Sequence, residues 1–215
     1  MKEYFKSDAR YLKLPIELPY NEMLKEARSL MDKFIAHRDD DYSHKGWSSL
    51  TIHGLGWDKH ESYKTYGYAK GKDASKDMTW TEIADLCPIT TKWLKEVFPC
   101  DIYGRVRFML LKAGGHIALH NDSSIPLLEN INIALNNPEG CKWIWGDKEE
   151  FIMETGGVYA MNIHYPHSVV NTSNEDRIHL IIARHDATAK WKELINQAAL
   201  RQGVSGEYVV IDELP

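Results

Sequence analysis

The chain has 215 residues, room for one generous domain, and its 43% hydrophobic, 27% charged and 11% aromatic residues are the balance of an ordinary globular protein. Thirty-one acidic against 26 basic residues leave a net charge of −5, which argues against a protein built to grip phosphate backbones. Cys87, Cys100 and Cys141 form no C-x-x-C pair, which speaks against a disulfide framework or zinc ribbon and for a reducing interior. Polar residues recur too often between Met1 and Pro19 for a signal peptide, and no apolar run approaches the roughly 18 residues of a membrane span. A cytoplasmic protein with no membrane and no nucleic-acid partner is expected.

Pro15 and Pro19 break an extended lead. From Asn21, read as an N-cap, the residues Met23, Leu24, Ala27, Leu30, Met31, Phe34 and Ile35 recur at helical spacing up to the charged run beginning at Arg38. Tyr42 to Asp77 is rich in Gly, Ser, Lys and aromatics without periodicity, a long loop whose best strand candidate is Trp47 to Ile52. Short helices are predicted from Thr81 to Leu86 and from Thr90 to Phe98, the second following Pro88 and stopped by Pro99.

From Gly104 the character changes to short β segments between turn signals. Strands are predicted near Arg105 to Lys112, His116 to His120, Leu128 to Leu135 and Cys141 to Trp145. Four more follow near Glu149 to Met153, Gly157 to Asn162, His167 to Val170 and Arg177 to Arg184. Turn chemistry such as Ala113-Gly114-Gly115 and Asn136 to Gly140 divides them. Strands this short, with no helix between them, predict a mainly β fold with flanking helices, an antiparallel sandwich or jelly roll. A last helix, about Ala187 to Gln202, is expected to pack outside it. The whole chain, 1–215, reads as one domain: helical and loop support over 1–103, a jelly-roll core over 104–185, and a C-terminal helix and tail over 186–215.

The sharpest local feature is His120-Asn121-Asp122 at the end of an alternating strand. Side chains at i and i+2 of an extended segment point the same way, so an imidazole and a carboxylate so placed can grip one metal ion. His167, in a later strand, can supply a third ligand if that strand lies alongside. Two imidazoles and a carboxylate make the facial triad of non-haem Fe(II) oxygenases, which leaves positions open for a 2-oxo acid and O2. Arg177, ten residues beyond His167, adds a planar guanidinium suited to a carboxylate, with the distal carboxylate of 2-oxoglutarate as its natural partner.

These stretches resemble a known family. Arg105 to Ile117 leading into His120-Asn121-Asp122, then Pro138-Glu139-Gly140-Cys141-Lys142, Tyr165-Pro166-His167-Ser168-Val169-Val170-Asn171 and Asp176-Arg177, look like the aspartyl/asparaginyl β-hydroxylase-like branch of the Fe(II)/2-oxoglutarate dioxygenases. Bacterial proline hydroxylases resemble the same branch. The resemblance implies a double-stranded β-helix (jelly roll, cupin-like), ferrous iron, 2-oxoglutarate and hydroxylation of an amino-acid carbon, either free or in an Asp/Asn residue of a short peptide. Vertebrate members lack the triad carboxylate and carry a basic pair on the following strand. This chain keeps Asp122, as the free amino-acid hydroxylases do, and has Glu129, Asn130, Ile131 and Asn132 where that pair would fall.

Asn130 and Asn132 share one face of a strand, where Asn is disfavoured, and are candidates to contact the 1-carboxylate of the 2-oxo acid. Trp47, Arg107 and Arg184 are candidates for the substrate pocket, with Trp47 and His53 in a loop over the metal mouth. Trp143 and Trp145 read as core packing, and His116, His164, His179 and His185 as structural or surface groups. The rival readings keep the metal without oxidation: a non-oxidative cupin-like protein binding a metal or small molecule, or a sensor that binds 2-oxoglutarate without turnover.

Overall fold

The computed structural model describes residues 2–37, 44–59, 66–68 and 74–211. The N-terminal part opens with strands β1 (Lys2–Lys6) and β2 (Tyr11–Leu14), followed by helix α1 (Tyr20–Ser29), β3 (Ile35–Ala36), β4 (Lys45–Gly54) and β5 (Thr79–Trp80). Helices α2 (Glu82–Leu86) and α3 (Pro88–Glu96) lead into the long strand β6 (Tyr103–His120). The remaining strands are β7 (Asn130–Ala134), β8 (Cys141–Trp145), β9 (Glu150–Phe151), β10 (Val158–Met161), β11 (His167–Asn171) and β12 (Arg177–Arg184). Helix α4 (Ala189–Gln202) and β13 (Glu207–Ile211) complete the described chain.

The jelly-roll fold is present, curled about β6. One run of strands reads β2-β10-β7-β12-β6, and β6 also pairs with β4. The other runs from β6 through β11 and β8 to β9. The first part of β6 pairs with β12 and the last with β11, all antiparallel, so β11 and β12 follow one another along the same strand. The side-chain amide of Asn171, the last residue of β11, donates to the carbonyls of Leu111 and Lys112 on β6 and of Glu175 in the loop.

The sequence places a break at Ala113-Gly114-Gly115, yet β6 runs through it. Gly114 takes φ +66°, which lets the strand bend without ending. A Cβ on Gly115 would lie 2.6 Å from the Lys45 carbonyl and 2.8 Å from that of Lys112, so only glycine lets β4 approach there.

Burial follows alternation. On β12, Ile178, Leu180 and Ile182 join an apolar core with Phe108 and Leu110 of β6, Ile83 of α2, Leu94 of α3 and Trp191 of α4. Cross-strand partners share the other, concave face: Arg177 lies opposite Leu111, His179 opposite Met109 and Ala134, and Ile181 opposite Arg107 and Asn132. Trp47 of β4 lies opposite Leu111 and completes that face. Cys141, Trp143 and Trp145 of β8 and Val169 of β11 are buried in a second apolar cluster with Leu111.

Several expectations are corrected. Helix α1 starts at Tyr20 with Pro19 in the cap position, so Asn21 is inside it. It ends at Ser29 because Ile35 and Ala36 are drawn into a ladder with Ser49 and Ser48. The strand expected at Trp47 to Ile52 forms within β4, which also takes in His53; the loop expected over the metal mouth is replaced there by this strand, since β4 is paired along its length with β6. The extended lead carries two strands, β1 against β13 and β2 against β10. The expected C-terminal helix forms; Thr188 caps it by accepting the Trp191 N–H at 3.1 Å, and Gly203 closes it at φ +64°.

Candidate metal and co-substrate site

His120 ends β6, His167 begins β11, and the two are direct cross-strand partners with ring centroids 4.4 Å apart. Asp122 follows in the next turn, its backbone N–H held by the Ile163 carbonyl at 2.9 Å. One Asp122 carboxylate oxygen lies 3.4 Å from His120 Nε2, and one ligand atom from each of the three residues lies within 4.8 Å of the others. Among the described residues no other group of His, Cys, Asp and Glu is so gathered.

The donor set fits a ferrous ion. His120 Nδ1 lies 2.7 Å from the Ala118 carbonyl and His167 Nδ1 lies 2.9 Å from that of Tyr165. A carbonyl only accepts, so each Nδ1 carries the proton and each Nε2 keeps its lone pair, as a ligating imidazole requires. Burial, reinforced by the neighbouring His120, pulls His167 down to about 4 and keeps it neutral at ordinary pH. Trp143 stacks on the His167 ring at 4.4 Å with 13° between planes, and Trp145 meets it edge-on at 6.4 Å. Both tryptophans pack in the core as expected, and that core abuts a candidate ligand.

Arg177 is 5% exposed on the concave face. Its Nε–H donates to His179 Nε2 at 2.9 Å, and Asn132 Oδ1 lies 2.6 Å from His179 Nδ1. The sequence reading left His179 as a structural group, but it sits between Arg177 and Asn132; its only signal was sharing Arg177's face at i+2. Among the described residues no carboxylate pairs with Arg177. Burial pulls the guanidinium down to about 10, the mark of a cation stripped of water without a counter-charge. Arg177 borders a tightly packed gap together with Asn137, Cys141, Trp143 and Val169.

Other candidates divide. Trp47 stands 6.4 Å from the His120 ring, flanked by His37 at 4.2 Å and His44 at 4.7 Å. Arg107 lies partly buried on the concave face, opposite Thr51 and Ile181. Asn130 lies on β7 opposite Met161, on the same face as Asn132. Arg184 is placed elsewhere. It has the parity of Ile178, Leu180 and Ile182, and its fully buried side chain pairs with Glu129 at 3.1 Å and Asp186 at 3.5 Å, 4.0 Å above the Trp191 ring. That outward-facing ion cluster takes it out of the concave pocket. His53 is bonded to the Gly104 carbonyl at 2.6 Å, and His164 lies 3.2 Å from that of Ser123.

The family model for aspartyl/asparaginyl beta-hydroxylase matches residues 17–186. No curated protein matches the chain. Among solved structures, the non-heme alpha-ketoglutarate-dependent epimerase SnoN from nogalamycin biosynthesis is 13% identical, with 83% of this chain and 77% of that one covered and a TM-score of 0.50; the likeness is one of fold. HygX from Streptomyces hygroscopicus, solved with nickel and 2-oxoglutarate bound, is 10% identical over 82% of this chain and 83% of its own, with a TM-score of 0.48. A prolyl-4-hydroxylase from Pseudomonas putida is 14% identical over 83% and 94%, with a TM-score of 0.47.

Proposed function

The chain belongs to the aspartyl/asparaginyl β-hydroxylase family of Fe(II)- and 2-oxoglutarate-dependent oxygenases, and from that premise we propose that it hydroxylates a carbon of an amino acid, free or as an Asp/Asn residue of a peptide. In this reading His120, Asp122 and His167 hold the iron and Arg177 anchors the distal carboxylate of 2-oxoglutarate. The observation that carries it is the buried Arg177 without a carboxylate partner among the described residues, paired across from Leu111 on β6, the strand whose end carries His120 of the three-ligand group. A guanidinium so placed is costly unless an anion meets it.

Bound ferrous iron supplies activation of dioxygen, coupled to oxidation of 2-oxoglutarate to succinate and carbon dioxide, with the second oxygen atom going into a C–H bond of the substrate. The chain supplies position. The carbonyls of Ala118 and Tyr165 fix both imidazoles in the ligating tautomer. His179, braced by Asn132, holds the guanidinium fork in one orientation. Trp143 and Trp145 exclude water from the inner side of His167. Asn130 faces the same interior and is assigned to the 1-carboxylate, while Trp47 and Arg107 are assigned to the substrate. Among the described residues no helix is long and apolar enough to cross a membrane. The three buried free thiols support a reducing compartment such as the cytoplasm.

The test is succinate production from 2-oxoglutarate under Fe(II) and air, followed by a screen of free amino acids and of Asp- and Asn-containing peptides for the mass gain of one oxygen. Wild type is expected to form succinate, and His120→Ala, Asp122→Ala and His167→Ala to form none while keeping the native circular dichroism spectrum. No turnover by wild type, even uncoupled, points instead to a non-oxidative cupin-like binder.

A further inference from the structure

Trp143 was placed by packing alone, but its polar atom is left over. Alternation along β8 turns Trp143 inward, where it is 7% exposed. One face of its ring lies on His167, and its cross-strand partner on β9 is Phe151. The indole Nε1–H is buried and meets no acceptor among the described residues. A donor in that state is rare in a native core, because the lost hydrogen bond to water is not replaced. Trp143 also borders the tightly packed gap that Arg177 borders. Two side chains from different strands, an indole N–H on β8 and a guanidinium on β12, thus border one gap, and neither has a carboxylate partner among the described residues.

We propose that the Trp143 indole N–H is a second anchor of the co-substrate, donating to the 2-oxoglutarate carboxylate that Arg177 meets. The inference rests on the reading of Arg177 given above and adds to it. Two donors from different strands hold a carboxylate more firmly than the guanidinium alone. Because the same indole ring lies flat on His167, the distal end of the co-substrate is referenced to a metal ligand through one rigid bicycle. Trp143 acts here as a positioning residue. Trp145 serves as an internal comparison: its Nε1–H is also buried and without an acceptor among the described residues, but it does not border the gap beside Arg177.

The measurement is calorimetric titration of 2-oxoglutarate into the full chain loaded with Zn(II), where no turnover occurs. Trp143→Phe keeps an aromatic ring on His167 and removes the N–H. Its Kd for 2-oxoglutarate is expected to rise roughly ten-fold, the size of a hydrogen bond to a charged acceptor. Trp145→Phe is expected to stay within about two-fold, and both variants to bind Zn(II) as wild type does. In wild type labelled with 15N-tryptophan, one of seven indole N–H signals, that of Trp143 identified by its contact to the His167 ring, is expected to move downfield on adding 2-oxoglutarate. This reading does not depend on any variant folding. An unchanged Kd in Trp143→Phe, or a Trp143 signal that stays put while wild type binds, overturns the proposal and leaves Arg177 standing. A wild type that binds no 2-oxoglutarate overturns both.

Discussion

At the scale of single residues, the chemistry of His167 sets a pH dependence. The folded imidazole is pulled down to about 4, first by burial and then by His120, whereas the ordinary value is 6.5. Between those values the unfolded chain binds a proton that the folded chain refuses, so stability falls as pH drops through that window. The part due to His167 is on the order of 3 kcal/mol by the bottom of the window. Denaturant titrations of the metal-free protein at about pH 7 and pH 4.5 should show a larger loss for wild type than for His167→Gln, and equal losses would contradict the assignment. The residues of this site were largely legible in the sequence, because spacing carries their meaning: i and i+2 put His120 and Asp122 together, and His167 needed only a neighbouring strand. Arg184 was misread although its parity with Ile178, Leu180 and Ile182 was available, because a charge on a mostly apolar face has no visible partner until Glu129, Asp186 and Trp191 arrive from other elements.

At the scale of elements, β6 carries both halves of the candidate site, with His120 at its end and Leu111 opposite Arg177. The close approach of β4 between them depends on Gly115, where a methyl group would press on the Lys45 and Lys112 carbonyls. Gly115→Ala is therefore expected to cost about 2 kcal/mol or more and to shift β4, with Trp47, away from β6. Thermal melting reads the first effect, and Trp fluorescence quenching by added Co(II) reads the second. A fully stable Gly115→Ala protein with unchanged quenching would refute the role of that close approach. Local patterning served well where both faces of a strand are decided nearby: Cys141–Trp145 and Arg177–Arg184 have the limits the sequence indicates. It failed for β1 and β2, short segments whose partners are β13 and β10, because no local periodicity reports a distant ladder.

At the scale of the whole molecule, the cluster around Arg184 ties β1, whose ladder partner is β13, to the separate sheet that holds β12 and β7. Arg184 ends β12, Glu129 precedes β7 and accepts the Phe5 N–H of β1 at 2.9 Å, and Asp186 accepts the backbone N–H groups of Asp101 and Ile102. Burial pushes Glu129 up to about 7, against the pull of Arg184. Removing the cation strands a buried carboxylate, so Arg184→Met is expected to lose about 3–5 kcal/mol in urea unfolding. Its KM for 2-oxoglutarate, measured on the folded fraction, should stay at the wild-type value. A raised KM with undiminished stability would return Arg184 to the pocket.

The pairing of β1 with β13 and of β2 with β10 also bears on how the protein is made. Lys2 meets Ile211 and Leu14 meets Val158, so β1 and β2 wait during synthesis for partners made much later. Closing such distant pairs has a large entropic cost, and folds dominated by them mature slowly. During that wait the nascent β1 and β2 expose open hydrogen-bonding edges, the form of chain that molecular chaperones shield.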